Sequence, residues 1–250
     1  MECFDEFSEE YDLMIDWPER IKREAQFFRT IFKQMDVSRV LDAGCGTGKH
    51  AIEFSKWGIE VVGCDISPQM IERAKLNAQA ERASIQFKVA AFQELTKKLS
   101  GTFDAIICLG NNLTQVTKEA DLRLALQEMY KILPLGGVCI IQIQNYKKIL
   151  KNHKHFMPLK VTKHKGKEFL FFRILDLHDV PITFFIVTFV KEKGAWTYSV
   201  RSTRLYPWRK NQLQTFLFEA GFKKLEFYGT YNFDKYEANT SNDLIIIAFS

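Results

Sequence analysis

Three glycines, Gly44, Gly46 and Gly48, follow an apolar run that ends in Asp42-Ala43, within the stretch VLDAGCGTGK from Val40 to Lys49. A second apolar run, 59–63, ends in Cys64-Asp65. Glycine has no Cβ, so a glycine-rich turn after a strand can be sharp, and a ligand can lie directly against its backbone N–H groups. Asp65, at the tip of the next strand, can accept both hydroxyls of a ribose, because an ionised carboxylate offers two oxygens and no donor. A pyrophosphate-binding turn would carry a further glycine where Lys49 stands, and the spacing is G-x-G-x-G instead. Asp42, just ahead of the loop, would repel a pyrophosphate but could hold ordered water or an ammonium group. The chemistry implied is retention of a nucleoside-bearing cofactor with a cationic or zwitterionic end, and a dinucleotide is disfavoured.

Positioning those groups requires a strand–turn–helix–strand frame, and the rest of the chain supplies one. Apolar strands at 39–43, 60–65, 84–89, 103–109 and 137–143 alternate with helical patterns, which argues a parallel sheet covered on both faces. Ser67-Pro68 opens a helix running to about Ala80, with an N-cap and a proline in the first turn. After Tyr146 the texture changes. Segments 168–176, 183–192 and 196–206 are rich in Phe, Ile, Val, Tyr and Thr, and Lys193-Gly194 reads as a tight hairpin. A helix at 208–220 ending at Gly221 and strands at 222–229 and 243–249 return the chain to the first sheet. The expected division is a cofactor-binding domain of residues 1–145 and 208–250, with an antiparallel β insertion of residues 146–207 covering the substrate pocket.

A chain of 250 residues, 46% hydrophobic, can bury a sizeable core. Its five cysteines lack any C-x-x-C spacing, so neither a disulfide framework nor a metal site is expected. Small buried thiols in a reducing cytoplasm are the simpler reading. No leader or long uncharged apolar run is visible, and the expected location is the cytoplasm, away from membranes. Eight lysines and three histidines between Lys147 and Lys167, with no acidic residue, could face nucleic acid or an anionic substrate. A solvated lid or linker is favoured over nucleic acid, since no stacking aromatics or arginine forks interleave with them.

Residues beyond the carboxyl ends of the strands should face the ligand. After the fourth strand these are Leu109-Gly110-Asn111-Asn112, and after the fifth Gln144-Asn145-Tyr146. Each asparagine can donate and accept toward an amine or a carboxylate, or can instead serve an Asx turn or helix cap.

The D-x-G-x-G-x-G loop of Asp42 to Gly48 with Asp65 resembles the first motif of class I S-adenosylmethionine-dependent methyltransferases. The segments LGNN, IQNY and RLYPW, the last at Arg204 to Trp208, further resemble the glycine and sarcosine N-methyltransferase group, over a match from about Tyr11 to the C-terminus. The resemblance implies a doubly wound, Rossmann-like α/β fold of seven strands with an antiparallel last strand, beside the antiparallel β insertion. It implies S-adenosylmethionine as cofactor and S-adenosylhomocysteine as product. Arg20 would bind the methionine carboxylate, with Arg23 as competitor, and Tyr11 would cover the site. Gly44 and Leu109 would lend backbone to the methionyl end, Asp65 would hold the ribose, and Asp42, Gly46, Gly48, Ile66 and Met70 would complete the cofactor set. Asn111, Tyr206 and Gln144 would meet the substrate.

Two departures from the pattern affect what is expected. Ala91-Phe92 stands where the family often carries a polar residue to read adenine, leaving apolar contact and backbone donors. Gln144 replaces an arginine that clamps the amino-acid carboxylate, and a neutral amide lacks that charge-assisted hold. The expected activity is methyl transfer to a small molecule, at an amine nitrogen in preference to oxygen, from an already activated methyl that needs alignment more than a base. A catalytically weak cofactor-binding module and a nicotinamide-dependent oxidoreductase remain as rivals. The Phe-rich insertion could also serve as an interface between copies.

Overall fold

The computed structural model describes residues 7–250, so Cys3 lies outside the described residues. β1 (Arg39–Ala43), β2 (Glu60–Asp65), β3 (Gln86–Val89), β4 (Ala105–Cys108) and β5 (Val138–Gln144) pair in parallel. β11 (Asp243–Phe249) runs antiparallel between β5 and β10 (Lys224–Tyr228), giving the order β10-β11-β5-β4-β1-β2-β3. From β1 the chain winds outward through β2 and β3, then returns to the other side of β1 at β4. At that reversal a crevice opens beyond the carboxyl ends of β1 and β4.

Period-two alternation divides the strands between two cores. Leu41, Ile106 and Ile141 enter one, whereas Val40, Ile107 and Ile140 enter the other. The helices are α1 (Ser8–Met14), α2 (Trp17–Gln34), α3 (Lys49–Ser55), α4 (Pro68–Ala80), α5 (Leu95–Lys98), α6 (Glu119–Lys131), α7 (Tyr146–Lys151) and α8 (Lys210–Ala220). α2 starts at Asp16, whose carboxylate accepts the Glu19 N–H, and it buries Phe27, Phe28, Ile31 and Phe32 in the second core. At the head of α4, the Ser67 hydroxyl accepts the Met70 N–H at 3.0 Å.

A second, antiparallel sheet has the order β6-β7-β8-β9, from β6 (Lys160–His164), β7 (Lys167–Asp176), β8 (Ile182–Glu192) and β9 (Ala195–Leu205). Lys193 and Gly194, with φ of 51° and 85°, close the β8–β9 hairpin in the backbone region that two-residue turns require. Phe171, Leu175, Phe184, Ile186 and Leu205 of this sheet join the same core as Leu41 and Ile106. The two sheets therefore share apolar burial.

The lysine-rich segment, expected as a solvated lid or linker, is not an irregular linker. It forms α7 and the edge strand β6, whose exposed Lys163 and His164 are the kind of side chains that discourage a further strand from pairing. The strand expected at 103–109 shortens to Ala105–Cys108, and the helix expected from residue 208 starts at Lys210. Trp208 is instead buried, its indole N–H donating to the Val116 carbonyl at 3.0 Å. Among the described residues no helix is long and apolar enough to cross a membrane, no cluster suits a metal ion, and Cys45, Cys64, Cys108 and Cys139 are buried free thiols.

Candidate functional site

The loop after β1 is built by close backbone approach. A Cβ at Gly44 would stand 2.8 Å from Asn112 Nδ2, and the Gly44 carbonyl accepts from that same amide at 2.5 Å. Gly46 faces open space where a Cβ would be, and its N–H donates to Asp65 Oδ2 at 2.9 Å. Ser67 N–H donates to the other oxygen, Oδ1, at 3.0 Å, so the Asp65 carboxylate is held at the tip of β2 in a fixed orientation. Gly48 differs in kind. A Cβ there would crowd Ala74 and Phe87 at 3.0 Å, so this glycine lets α3 pack against α4 and β3.

A cavity of about 300 Å³ lies over this loop. It is lined by Tyr11, Arg20, Asp42, Gly44, Gly46, Asp65, Ile66, Met70, Ala91, Phe92 and Leu109. All of the expected cofactor set is thereby brought together except Gly48, which packs beneath the loop. Asp42 is 2% exposed and its Oδ2 has no hydrogen-bond partner. Burial first, and the nearby Asp65 charge second, push its carboxyl up to about 7.

Arg20 lies beneath Gly110 and lines this cavity and a second one beside it. Its Nε donates to Glu24 Oε1 at 3.0 Å, and its guanidinium carbon stands 5.2 Å from the centre of the Trp17 ring. Arg23 shares Glu24, but its side chain is 60% exposed and it lines the second cavity alone. Glu24 also accepts from His50 Nε2 at 2.8 Å. Burial pushes the Glu24 carboxyl upward, but the His50 and Arg20 hydrogen bonds outweigh it and hold the group down at about 2. Burial lowers His50 below its ordinary value, so a neutral imidazole donates to the Glu24 carboxylate.

The second cavity, of about 460 Å³, shares Tyr11, Arg20, Gly110, Asn112 and Gln115 with the first. Asn111 lines it, but both ends of its amide are engaged: Nδ2 donates to the Tyr146 hydroxyl at 2.8 Å and Oδ1 accepts the Gln144 N–H at 3.0 Å. Asn111 thus ties the end of β4 to β5. The Gln144 amide also lines the cavity, with Nε2 3.9 Å from the Met157 sulfur and Oε1 buried without a donor. Tyr206, expected in the substrate pocket, lines neither cavity. Its ring lies on Trp208 with centroids 3.9 Å apart, and its N–H is bound to the Thr114 carbonyl. Residue 205, its neighbour in alternation, is the one that faces the cavity.

Sequence reasoning missed several groups here. Gln142, on β5, accepts the Gly110 N–H at 2.8 Å and donates to Asp243 at 2.8 Å, linking the loop after β4 to β11. Trp17, His50 and Thr203 line the first cavity, and Met157, Arg173 and Phe184 line the second. On β7 Arg173 alternates with Phe169, Phe171 and Leu175, but the opposite face carries Leu170, Phe172 and Ile174, so alternation alone does not tell which face is inner.

An unpartnered, buried carboxylate oxygen, a glycine opening on space and an oriented second carboxylate suit a ligand with a cationic amino-acid end and a ribose. Comparison with known proteins points the same way. A methyltransferase-domain model matches residues 40–137. The chain is 31% identical over 234 residues to a glycine/sarcosine N-methyltransferase of Parasynechococcus marenigrum, covering 93% of this chain and 80% of that protein. It shares its fold with an S-adenosylmethionine-dependent methyltransferase from Clostridium acetobutylicum, at TM-score 0.80 and 16% identity over 99% of this chain and 98% of that one. It shares it also with an S-adenosylmethionine-bound amino pentose methyltransferase from Micromonospora echinaspora, at TM-score 0.71 and 17% identity over 94% and 92% of the two chains. With this loop, this sheet order and a relative so extensively matched, the chain belongs to the S-adenosylmethionine-dependent methyltransferase family that includes the glycine/sarcosine N-methyltransferases.

Proposed function

We propose that the protein methylates the nitrogen of a small amine, with the cofactor in the cavity over the β1 loop and the acceptor in the cavity beside it. The observation that carries this reading is the shared wall of Tyr11, Arg20, Gly110 and Asn112, which sets two pockets of small-molecule size edge to edge. Bound in the first pocket, S-adenosylmethionine supplies a sulfonium-activated methyl group.

The chain's own residues would position and shield. Asp65 would take the ribose hydroxyls, while Asp42 and Arg20 would face the ammonium and carboxylate of the methionyl end. Ile66, Met70, Ala91 and Phe92 would enclose the base. Tyr11, whose phenol burial keeps well protonated, would close the junction and exclude water. Asn111, fixed by Tyr146 and Gln144, would hold the Gly110 turn rather than act on a proton. Asp243 lines the acceptor pocket with its carboxyl raised by burial, and it is suited to accept the proton that an amine sheds.

Relatives whose names specify glycine and sarcosine, or an amino pentose, are methyltransferases of amine-bearing small molecules, which supports nitrogen as the acceptor atom. The test is formation of S-adenosylhomocysteine with glycine, sarcosine, dimethylglycine and a pool of amines and phenols. Turnover confined to amines is expected; turnover confined to phenols would overturn the assignment.

A further inference from the structure

The second sheet buries one face and leaves the other bare. Leu170, Phe172 and Ile174 of β7 stand in register with Phe189, Val187 and Phe185 of β8, and all six point away from the side chains that enter the core. Among the described residues, none of the six joins either core. Phe189 instead meets Phe172 edge-on at 5.6 Å and the Tyr198 ring at 6.0 Å. β9 extends this surface with Tyr198 and Val200, 72% and 54% exposed, and β6 extends it with the exposed Val161.

Charged rows close the apolar surface at both ends. One row holds Lys163, Glu168, Lys191 and Trp196, and the other holds Asp176, Thr183 and Arg204. Glu168 and Lys191 stand opposite each other in register, yet they form no ion pair among the described residues. With four strands about 4.8 Å apart and outward rows about 6.8 Å apart, the face covers about 600 Å². Its apolar middle has the extent that marks an interaction site in a soluble protein. Two such faces would bury about 1,200 Å² between them, the lower end of the range for specific interfaces.

We propose that this face packs against the same face of a second copy, as a two-fold sandwich of the two four-stranded sheets. Sheets stacked in this way keep their strands nearly aligned and lie about 10 Å apart. The charged rows select the axis. A two-fold axis across the strands would set Glu168 against the partner's Asp176, carboxylate to carboxylate. An axis along the strands, between β7 and β8, sets Glu168 against the partner's Lys191 and Lys191 against the partner's Glu168. Charges left unpaired within one copy are then matched twice between copies. The inner face of the same strands brings Phe184 and Leu205 to the acceptor cavity, so the second copy would brace that wall from behind.

Sedimentation velocity of the full chain tests this. The wild type should sediment as a dimer at micromolar concentration. Val200→Glu and Tyr198→Glu should each weaken the dimer at least about 30-fold, because each dimer would bury two unpaired carboxylates. Glu168→Lys and Lys191→Glu should each weaken it about tenfold, and the double variant Glu168→Lys/Lys191→Glu should recover to within about threefold of the wild type. Unchanged S-adenosylhomocysteine affinity reports that each variant is folded, since these side chains line neither cavity.

A wild type that stays monomeric at tens of micromolar would overturn the proposal, as would a dimer indifferent to Val200→Glu and Tyr198→Glu. A dimer weakened by those two variants but not recovered in the double charge reversal would overturn it as well. That result would point to pairing along the β9 edge, which Glu168 and Lys191 on the central strands do not reach.

Discussion

Asp42 and Asp65 both line the cavity over the β1 loop, yet their surroundings differ. Asp65 is held by two backbone N–H groups and stays a hydrogen-bond acceptor. Asp42, with Oδ2 unpartnered, is pushed up to about 7 by burial and by the charge of Asp65. Its folded-state value is raised, so its ionisation opposes folding as pH rises through 7, and a cation bound beside it reverses that penalty. Binding of the cationic cofactor should therefore expel a proton. S-adenosylmethionine affinity is expected to tighten about tenfold per pH unit up to about 7 and to level off above it. Calorimetric titrations between pH 5.5 and 8.5 check this, and Asp42→Asn should both weaken binding and flatten the profile. A flat wild-type profile would remove Asp42 from the cationic end of the site. At Asp65 the expectation is simpler: Asp65→Ala should weaken cofactor binding by more than about 1 kcal/mol, since charged hydrogen bonds to the ribose are lost. Unchanged affinity would mean the ribose lies elsewhere.

At the scale of elements, α2 sets Arg20 in place through a buried ionic hub. Glu24, 1% exposed, gathers Arg20, Arg23 and His50. Its carboxyl lies at about 2 against an ordinary 4.5, so it contributes stability that is complete above pH 4.5 and lost as pH falls toward 2. The shift corresponds to about 3 kcal/mol. Glu24→Gln should cost a similar amount at pH 7, because Arg20 and Arg23 lose their counter-charge, and should flatten the decline of stability between pH 5 and 3. Urea unfolding across that range measures both effects; an unchanged acid slope would mean the hub is not what senses pH. Only the His50 arm of this hub was beyond local reading, since Glu24 and His50 stand 26 positions apart, whereas Arg20 lies one helical turn before Glu24. What was readable had a local cause. β1, β2 and α4 have the bounds their apolar runs and the Ser67-Pro68 cap suggest. β6 escaped notice because its lysines mask a short alternation, and Tyr206 was misplaced because one residue of register at the end of β9 decides which side chain faces the cavity. Arg173 escaped because a lone polar residue in a strand reads as solvent-facing until the second sheet is known to be packed against the first.

Over the whole molecule, that packing decides whether the second sheet is a loose lid or a fixed wall. Phe171, fully buried on β7, lies 6.0 Å edge-on from Phe7 and 6.1 Å from the parallel ring of Phe169. Phe7 lies on the arm that carries Tyr11: the Tyr11 N–H donates to the Phe7 carbonyl at 2.9 Å, and Tyr11 lines both cavities. A continuous chain of contacts therefore runs from the second sheet through Phe7 to the junction of the two pockets, and its apolar members belong to the core that holds Leu41 of β1. Shared burial of this kind makes the sheets unfold together. Phe171→Ala should lower stability by about 3–5 kcal/mol, the cost of a large core cavity, and move the melting temperature down by about 10 °C in one transition seen alike by far-ultraviolet circular dichroism and tryptophan fluorescence. Because Tyr11 is held from that side, the variant should also bind S-adenosylmethionine more weakly, even below its melting range. Two separated transitions, or undisturbed cofactor binding, would mean instead that the second sheet is an independent cover and that the arm closes the site without it.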